Sequence, residues 1–281
     1  YNLKQYKWEH DDPDRLFSEE YERNLRHAYF AATSFLDAQI GKILNALQEN
    51  QLEDDTIVIF ISDHGYHTGQ LNHWGKTTLY ESSLRVPFII SHAGLPNRGG
   101  ASDGLVELVD LMPTLIDLAG DKPPDYLEGN SVRPLLDNPG RSWKKAVFSN
   151  QPRGLFGMRR GFSIRTDRYR YTEFQNTMKE EVLARELYDL DADPHLTVNL
   201  TAKSGHDSLI SRLSSQLNGE WQSVLPEGIS NNAINPKAPP PYAWGPYGEG
   251  RRESWHRKFG GSDSMGWREA TKLHPMVDQI P

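Results

Sequence analysis

Cysteine is absent from all 281 residues. That excludes a disulfide framework, a zinc–thiolate site and a cysteine nucleophile within the chain, and leaves the redox compartment undecided. Positive charge is in the minority as well. Thirty-one Lys and Arg against 38 Asp and Glu give a formal net charge of −7, the opposite of a general nucleic-acid binder's basic footprint, so no nucleic-acid partner is expected. No apolar run approaches the roughly 20 residues that span a bilayer, so a soluble chain with no membrane span is expected. A secretory leader is missing too. The chain opens on Tyr1 with no initiator Met, which reads as a cut or processed end that has shed any compartment signal. What is present suits a globular body: 37% hydrophobic and 25% charged residues, in a length that fits one large domain or two smaller ones.

From Phe17 to Gln51 apolar residues recur at three- and four-residue steps (Leu25, Ala28, Tyr29, Ala32, Phe35, Leu36, Ile40, Ile43, Leu44, Leu47). This predicts one long amphipathic helix, capped by Ser18 and started by Glu19 and Glu20. Thr56–Ile61 and Val86–Ser91 are short apolar runs without polar alternation, expected as strands covered on both faces of a mostly parallel sheet. A further helix is expected at about Leu105–Ala119, ended by Gly120 and followed by Pro123 and Pro124. Helix, strand, loop, strand, helix is the order of an α/β domain. Near Trp143 the pattern changes. "KAVFSN", "GFSIRT", "RYRYTEF" and "RELYDL" are short and β-branched or aromatic, with turn residues between, and predict an antiparallel sheet with a helix from about Ser208 to Ser223 packed on it. Three regions follow: 1–142, a part of an α/β core; 143–225, an antiparallel subdomain with its helix; and 226–281, an irregular Pro-, Gly- and Trp-rich tail.

The strand at Thr56–Ile61 runs straight into Asp63, His64 and Gly65. In open α/β sheets ligands collect at the carboxyl ends of strands. A carboxylate beside an imidazole there can bind a metal or exchange protons, with Gly65 allowing a sharp turn. The residues alone leave a second reading open: an Asp that caps the next turn and a His satisfied in the core.

The longer stretch "SDHGYHTGQLNHWGKTTLYESSLRVPFII" resembles the signature segment of the sulfatase family, within the alkaline-phosphatase superfamily. The likeness lies in order and spacing: the strand, Asp63-His64-Gly65, His67, Gly69, Trp74-Gly75-Lys76, and Glu81 through Arg85-Val86-Pro87. "RHAYFAATSFLDAQIGKILNAL" and "LVELVDLMPTLIDLAG" resemble the helices flanking that segment. "GFSIRTDRYRYTEF" and "ARELYDLDADPHLTVNL" resemble the C-terminal subdomain, most like the iduronate-2-sulfatase branch. The resemblance runs from about Phe17 to Leu225 and leaves the tail unexplained.

It implies a partial alkaline-phosphatase-like α/β fold and hydrolysis of sulfate esters of a sulfated carbohydrate. It also implies a calcium ion and a formylglycine made from the Cys or Ser of a C/S-x-P-x-R motif. By position Asp63 and His64 would be two calcium ligands. Calcium prefers oxygen, and many members carry Asn where His64 stands. Lys76 would hold the sulfate oxygens. His67 would donate a proton to the leaving alkoxide or contact the substrate's ring, unless it is a loop histidine bonded to backbone. Trp74, beside His73, reads as a packing residue, and Glu81 with Arg85 as an i,i+4 structural ion pair. Six arginines fall within eighteen residues (Arg153, Arg159, Arg160, Arg165, Arg168, Arg170). They would cradle sulfated polymer, Arg159 and Arg160 foremost, or else form the ordinary charged face of a strand pair. Asn199-Leu200-Thr201 fits a glycosylation sequon.

Two departures stand out. Gly69-Gln70-Leu71 stands where many relatives read Gly-Glu-His. The chain also carries no nucleophile motif and no acidic pair after a first strand, since "HDDPD" with Asp11 and Asp12 follows no apolar run. The expectation is therefore the C-terminal part of a sulfatase whose formylglycine and remaining ligands lie in a missing N-terminal part, inactive by itself. Family members mostly meet their substrates in the periplasm, outside the cell or in lysosomes. The alternatives are a phosphodiesterase or phosphonate hydrolase of the same superfamily, and a non-catalytic polyanion-binding module.

Overall fold

The computed structural model describes residues 17–124, 127–153, 159–176, 179, 181–219 and 221–229. The stretch at 10–14 and nearly all of the 226–281 tail therefore lie outside the described residues. Helix α1 (Glu19–Glu49) begins where Ser18 Oγ accepts a hydrogen bond from Tyr21 N at 3.2 Å, with Glu19, Glu20 and Glu22 at its positive end. The predicted apolar stripe is present but bare. None of the helix's residues is buried, and Phe35 is 68% exposed.

Strands β1 (Val58–Ile61) and β4 (Phe88–Ser91) form a pair. They run antiparallel, Val58 opposite Ser91 and Ile61 opposite Phe88, which corrects the expectation of parallel neighbours. A parallel return needs a crossover long enough to climb back along the sheet. The link here holds only the short ladder of β2 (His67–Thr68) with β3 (Trp74–Gly75) and the four-residue helix α2 (Glu81–Leu84). Nor are both faces covered: the cross-strand partners Phe60 and Ile89 are exposed, Ile89 at 57%.

The helix expected at Leu105–Ala119 is shorter. Leu105 bridges Lys144, a 3-10 turn covers Leu108–Asp110, and α3 spans Leu111–Leu118. Pro113 accounts for this, since its ring is tolerated only in a first turn; Gly120, at φ 89°, closes the other end. Helix α4 (Arg133–Asp137) follows.

The predicted antiparallel sheet is β5 (Ala146–Arg153), β6 (Arg159–Thr166), β7 (Tyr169–Asn176) and β8 (Glu181–Asp189), in that spatial order. Helix α5 (Asp207–Asn218) packs on it. Ala146, Phe148, Phe162, Ile164, Tyr171 and Leu187 meet Leu213, Leu217 and Val224 in the main apolar core. Two buried polar clusters hold the edges. Lys144 Nζ lies 2.7–2.8 Å from both Asp110 oxygens and from Glu107 Oε2; the Asp110 oxygens also accept from the backbone N–H groups of Asn130 and Glu107, and Glu107 Oε1 accepts from that of Phe148. Glu173 accepts from Tyr171 Oη (2.7 Å), Ser214 Oγ (2.7 Å), Gln175 Nε2 (2.8 Å) and Asn218 Nδ2 (3.1 Å), which fastens α5 to β7. The chain is thus α/β, a helix-flanked strand pair joined to an antiparallel subdomain. Among the described residues no helix is long and apolar enough to cross a membrane.

Candidate functional site

At the end of β1 the backbone turns under local hydrogen bonds. Ser62 Oγ donates to His64 O at 2.7 Å, and His64 N donates to Asp63 Oδ1 at 3.0 Å. Gly65 N donates to Ser83 O at 2.8 Å, docking the strand end on α2. A Cβ on Gly65 would sit 2.1 Å from Ser82 O, so glycine is required here by close approach, and not only by the turn expected from the sequence.

His64 Nδ1 lies 2.9 Å from Gly65 O. A carbonyl only accepts, so Nδ1 carries the proton and Nε2 presents a lone pair. Lys76 Nζ donates to that Nε2 at 2.9 Å, and Asp63 Oδ2 lies 3.4 Å from it. Asp63, His64 and Lys76, distant in sequence, therefore meet at one point. The Asp63 side chain is 84% exposed and borders an open cleft of about 1500 Å³ whose wall includes His64, Glu81, Asn150, Arg165 and Arg170.

The loop that delivers Lys76 is strained. Leu71, Asn72 and Thr77 hold φ of 56°, 53° and 72°, and Gly69 and Gly75 hold 108° and 106°. A β-branched residue at positive φ is rare and persists only where its surroundings over-determine it.

His67 does not join the three. Its ring is 0% exposed, with Nε2 2.8 Å from Thr78 Oγ1 and Nδ1 3.4 Å from Gln70 O. Burial, helped by the neighbouring His73, lowers its pKa to about 4. A neutral imidazole sealed from the cleft touches no substrate ring and protonates no alkoxide, so the proton-donor and substrate-contact readings are corrected. The physical reason is the pleat: Tyr66 points out and His67 points in.

Trp74 is a packing residue, as expected. The Arg26 guanidinium lies 5.3 Å from its ring centre, and the Phe17 ring 6.1 Å away. The Glu81–Arg85 pair does not form among the described residues. Glu81 instead binds Arg170, whose Nε donates at 2.9 Å and whose Nη2 also donates, and it lies 3.7 Å from Arg165 Nε. Arg165 and Arg170 are direct cross-strand partners, so one carboxylate separates two like charges.

The arginine cradle is not a single surface. Arg165 and Arg170 are held by Glu81, and Arg168 by Asp189 at 2.7 Å. Arg159 and Arg160 open β6 at its other end, about 20 Å from Arg165 at the rise of a strand. Arg159 is exposed, while Arg160 Nη1 donates to Asn150 Oδ1 at 3.1 Å. The Arg153 side chain lies outside the described ones. Sequence reasoning missed Thr78, Ser83 and the Glu81–Arg170 tie; no periodicity or spacing marks them.

Comparison with known proteins gives the family. Residues 3–121 match the sulfatase family, and 69–223, more than half of the chain, match the family described as N-sulphoglucosamine sulphohydrolase, C-terminal. An N-acetylglucosamine-6-O-sulfatase of Bacteroides thetaiotaomicron is 31% identical over 67% of this chain and 34% of its own length. The iduronate 2-sulfatase of Mus musculus is 30% identical over 69% of this chain and 47% of its own. In three dimensions, the phosphonate monoester hydrolase SpPMH from Silicibacter pomeroyi superposes with a TM-score of 0.65 at 27% identity, covering 78% of this chain and 45% of that one. The chain thus spans about a third to a half of the length of these relatives. By these matches the chain belongs to the sulfatase family.

Proposed function

We propose that the polypeptide carrying this chain hydrolyses sulfate esters of a sulfated carbohydrate, with Asp63 and His64 contributing to a calcium site and Lys76 gripping the sulfate. The observation that carries this reading is the convergence of Asp63 Oδ2, His64 Nε2 and Lys76 Nζ at the open end of β1.

The donor chemistry suits a hard divalent cation in part. Asp63 offers carboxylate oxygen and His64 a lone pair fixed by Gly65 O. Calcium takes about 6–8 ligands, whereas among the described residues no group of three or more His, Asp or Glu could hold a metal. The remaining ligands and the formylglycine nucleophile are assigned to polypeptide outside this chain. A bound calcium ion would supply a fixed positive charge against the sulfate oxygens. Lys76 adds a mobile point charge suited to a group whose negative charge is spread over several oxygens, and it stabilises charge that grows as the ester bond breaks. The bare stripe of α1 and the exposed Phe60 and Ile89 support a docking face for that further polypeptide.

A second reading, phosphonate or phosphate ester hydrolysis, is favoured by the likeness to the phosphonate monoester hydrolase. One panel decides between them: an aryl sulfate, a 6-sulfated glucosamine, a 2-sulfated iduronate and an aryl phosphonate, assayed with the protein that includes its upstream region. Turnover of a sulfate ester is expected, with a loss of about 100-fold in kcat/KM for Lys76→Ala and loss of activity on calcium chelation. Preferential turnover of the phosphonate, or a Lys76→Ala variant as active as the parent, rejects the sulfatase reading. The 281-residue chain alone is expected to show no turnover.

A further inference from the structure

His67 is withheld from the cleft, yet its contacts run to both sides of the site. In the β2–β3 ladder its partner is Gly75, the residue before Lys76. Its Nε2 lies 2.8 Å from the hydroxyl of Thr78, two residues after Lys76. The Thr78 hydroxyl is bonded at 2.9 Å to Ser83 Oγ, and the Ser83 carbonyl accepts the N–H of Gly65, the residue after His64. The backbone of His67 therefore holds one end of the two-residue span Lys76–Thr77 and its buried imidazole the other, and through Thr78 and Ser83 the ring reaches the neighbour of His64. Thr77 lies inside that span at φ 72°. A β-branched residue relaxes to negative φ unless both of its flanks are fixed.

We propose that His67 is a positioning residue. Acting through Thr78 and Ser83, it holds Thr77 in its strained conformation and so keeps the Lys76 side chain beside His64, in the place from which Lys76 meets the substrate's anionic group. The role in turnover rests on the sulfatase reading given above; the role in placing Lys76 does not. Thr78 is the position to vary, because valine keeps its shape and removes the hydroxyl, whereas serine keeps the hydroxyl. His67→Phe provides an independent break from the imidazole side.

Two measurements test the proposal. Reductive methylation of Lys76, followed by mass spectrometry on the chain itself, reports how freely the reagent reaches its amine, and so whether the side chain is still held beside His64. The rate is expected to rise at least about threefold in Thr78→Val and in His67→Phe, the weight of one net hydrogen bond, and to return to that of the parent in Thr78→Ser. Equal rates in all of these proteins overturn the proposal. In the protein that includes its upstream region, Thr78→Val is expected to lower kcat for an aryl sulfate about tenfold, as a small misplacement does, with KM nearly constant and Thr78→Ser restored. A lower thermal midpoint with kcat unchanged would make the clip a stabilising device only and reject its role. If the parent itself fails to cleave sulfate esters, the sulfatase reading falls and the methylation rates alone decide the placement of Lys76.

Discussion

At the scale of single residues, the site depends on a few atoms with no room to move. Gly65→Ala is the sharpest case, because the added Cβ meets the backbone oxygen of Ser82 at 2.1 Å. Denaturant unfolding is expected to show a loss of about 1–3 kcal/mol, the range of an overpacked core; an alanine variant as stable as the parent would mean that α2 yields freely. His67 supplies a pH signature. Its pKa in the fold is lowered to about 4 from 6.5, so the unfolded chain binds the proton first. The stability this site confers is complete above pH 6.5 and falls as the pH drops towards 4, by on the order of 3 kcal/mol in total. Unfolding midpoints measured across that range check the sign, and a profile that does not change with His67→Phe rejects the assignment. Lys144 behaves in the opposite sense. Burial opposes its charge, but Glu107 and Asp110 outweigh burial and raise its pKa above 10.5. Its contribution is full below that value and is lost as the pH climbs through the raised one.

At the scale of elements, the sequence disclosed what is local. The 3.6-residue rhythm of α1 and its Ser18 cap were readable because a helix is built from neighbours. The same holds for β5–β8, whose β-branched runs are separated by turn residues such as Thr166-Asp167-Arg168. Pairing direction was not readable, because an apolar tetrad such as Val58–Ile61 has no polarity that distinguishes a parallel from an antiparallel neighbour. The Asp63–His64 pair was legible through its place at a strand end. The inward turn of His67 was not, since it depends on which face of a two-residue ladder meets the core. Nor was the structural role of Asn199 readable: its side chain accepts from Leu187 N at 3.0 Å and donates to Arg185 O at 3.2 Å, tying the segment after β8 back to that strand. The bare stripe of α1 yields a prediction. Phe35→Glu, Leu36→Glu and Ile43→Glu together are expected to leave the stability of the isolated chain within about 0.5 kcal/mol, as exposed substitutions do, and to abolish assembly with the upstream polypeptide. Intact assembly of the triple variant would show that this face packs on nothing.

At the scale of the whole molecule, two charge groups tie the segments on either side of β4 to the antiparallel sheet. One is Lys144 with Asp110 and Glu107; the other is Glu81 with Arg170 and Arg165. Glu81→Gln removes the only acid of its group and leaves the buried Arg170 uncompensated beside Arg165, so a loss of about 3–5 kcal/mol is expected in thermal or denaturant unfolding. A loss below 1 kcal/mol would mean that water reaches Arg170. Charge also sorts along β6. Arg159 and Arg160 stand apart from the strand-end site, so a contribution from them concerns a long polyanion rather than a single sugar. Arg159→Glu with Arg160→Glu is expected to weaken heparin binding and to flatten its dependence on salt, the mark of lost counterion release; an unaltered salt slope removes these arginines from recognition.

The carboxylate of Glu81 also sets a rule for recombination. It reaches from the short helix beneath Gly65 to the paired guanidiniums of the meander, so the two modules share one fastening. A chimaera that grafts a relative's C-terminal sheet onto this chain, hoping to inherit its sugar preference, will misalign unless the donor's counterpart of that helix is transplanted with it.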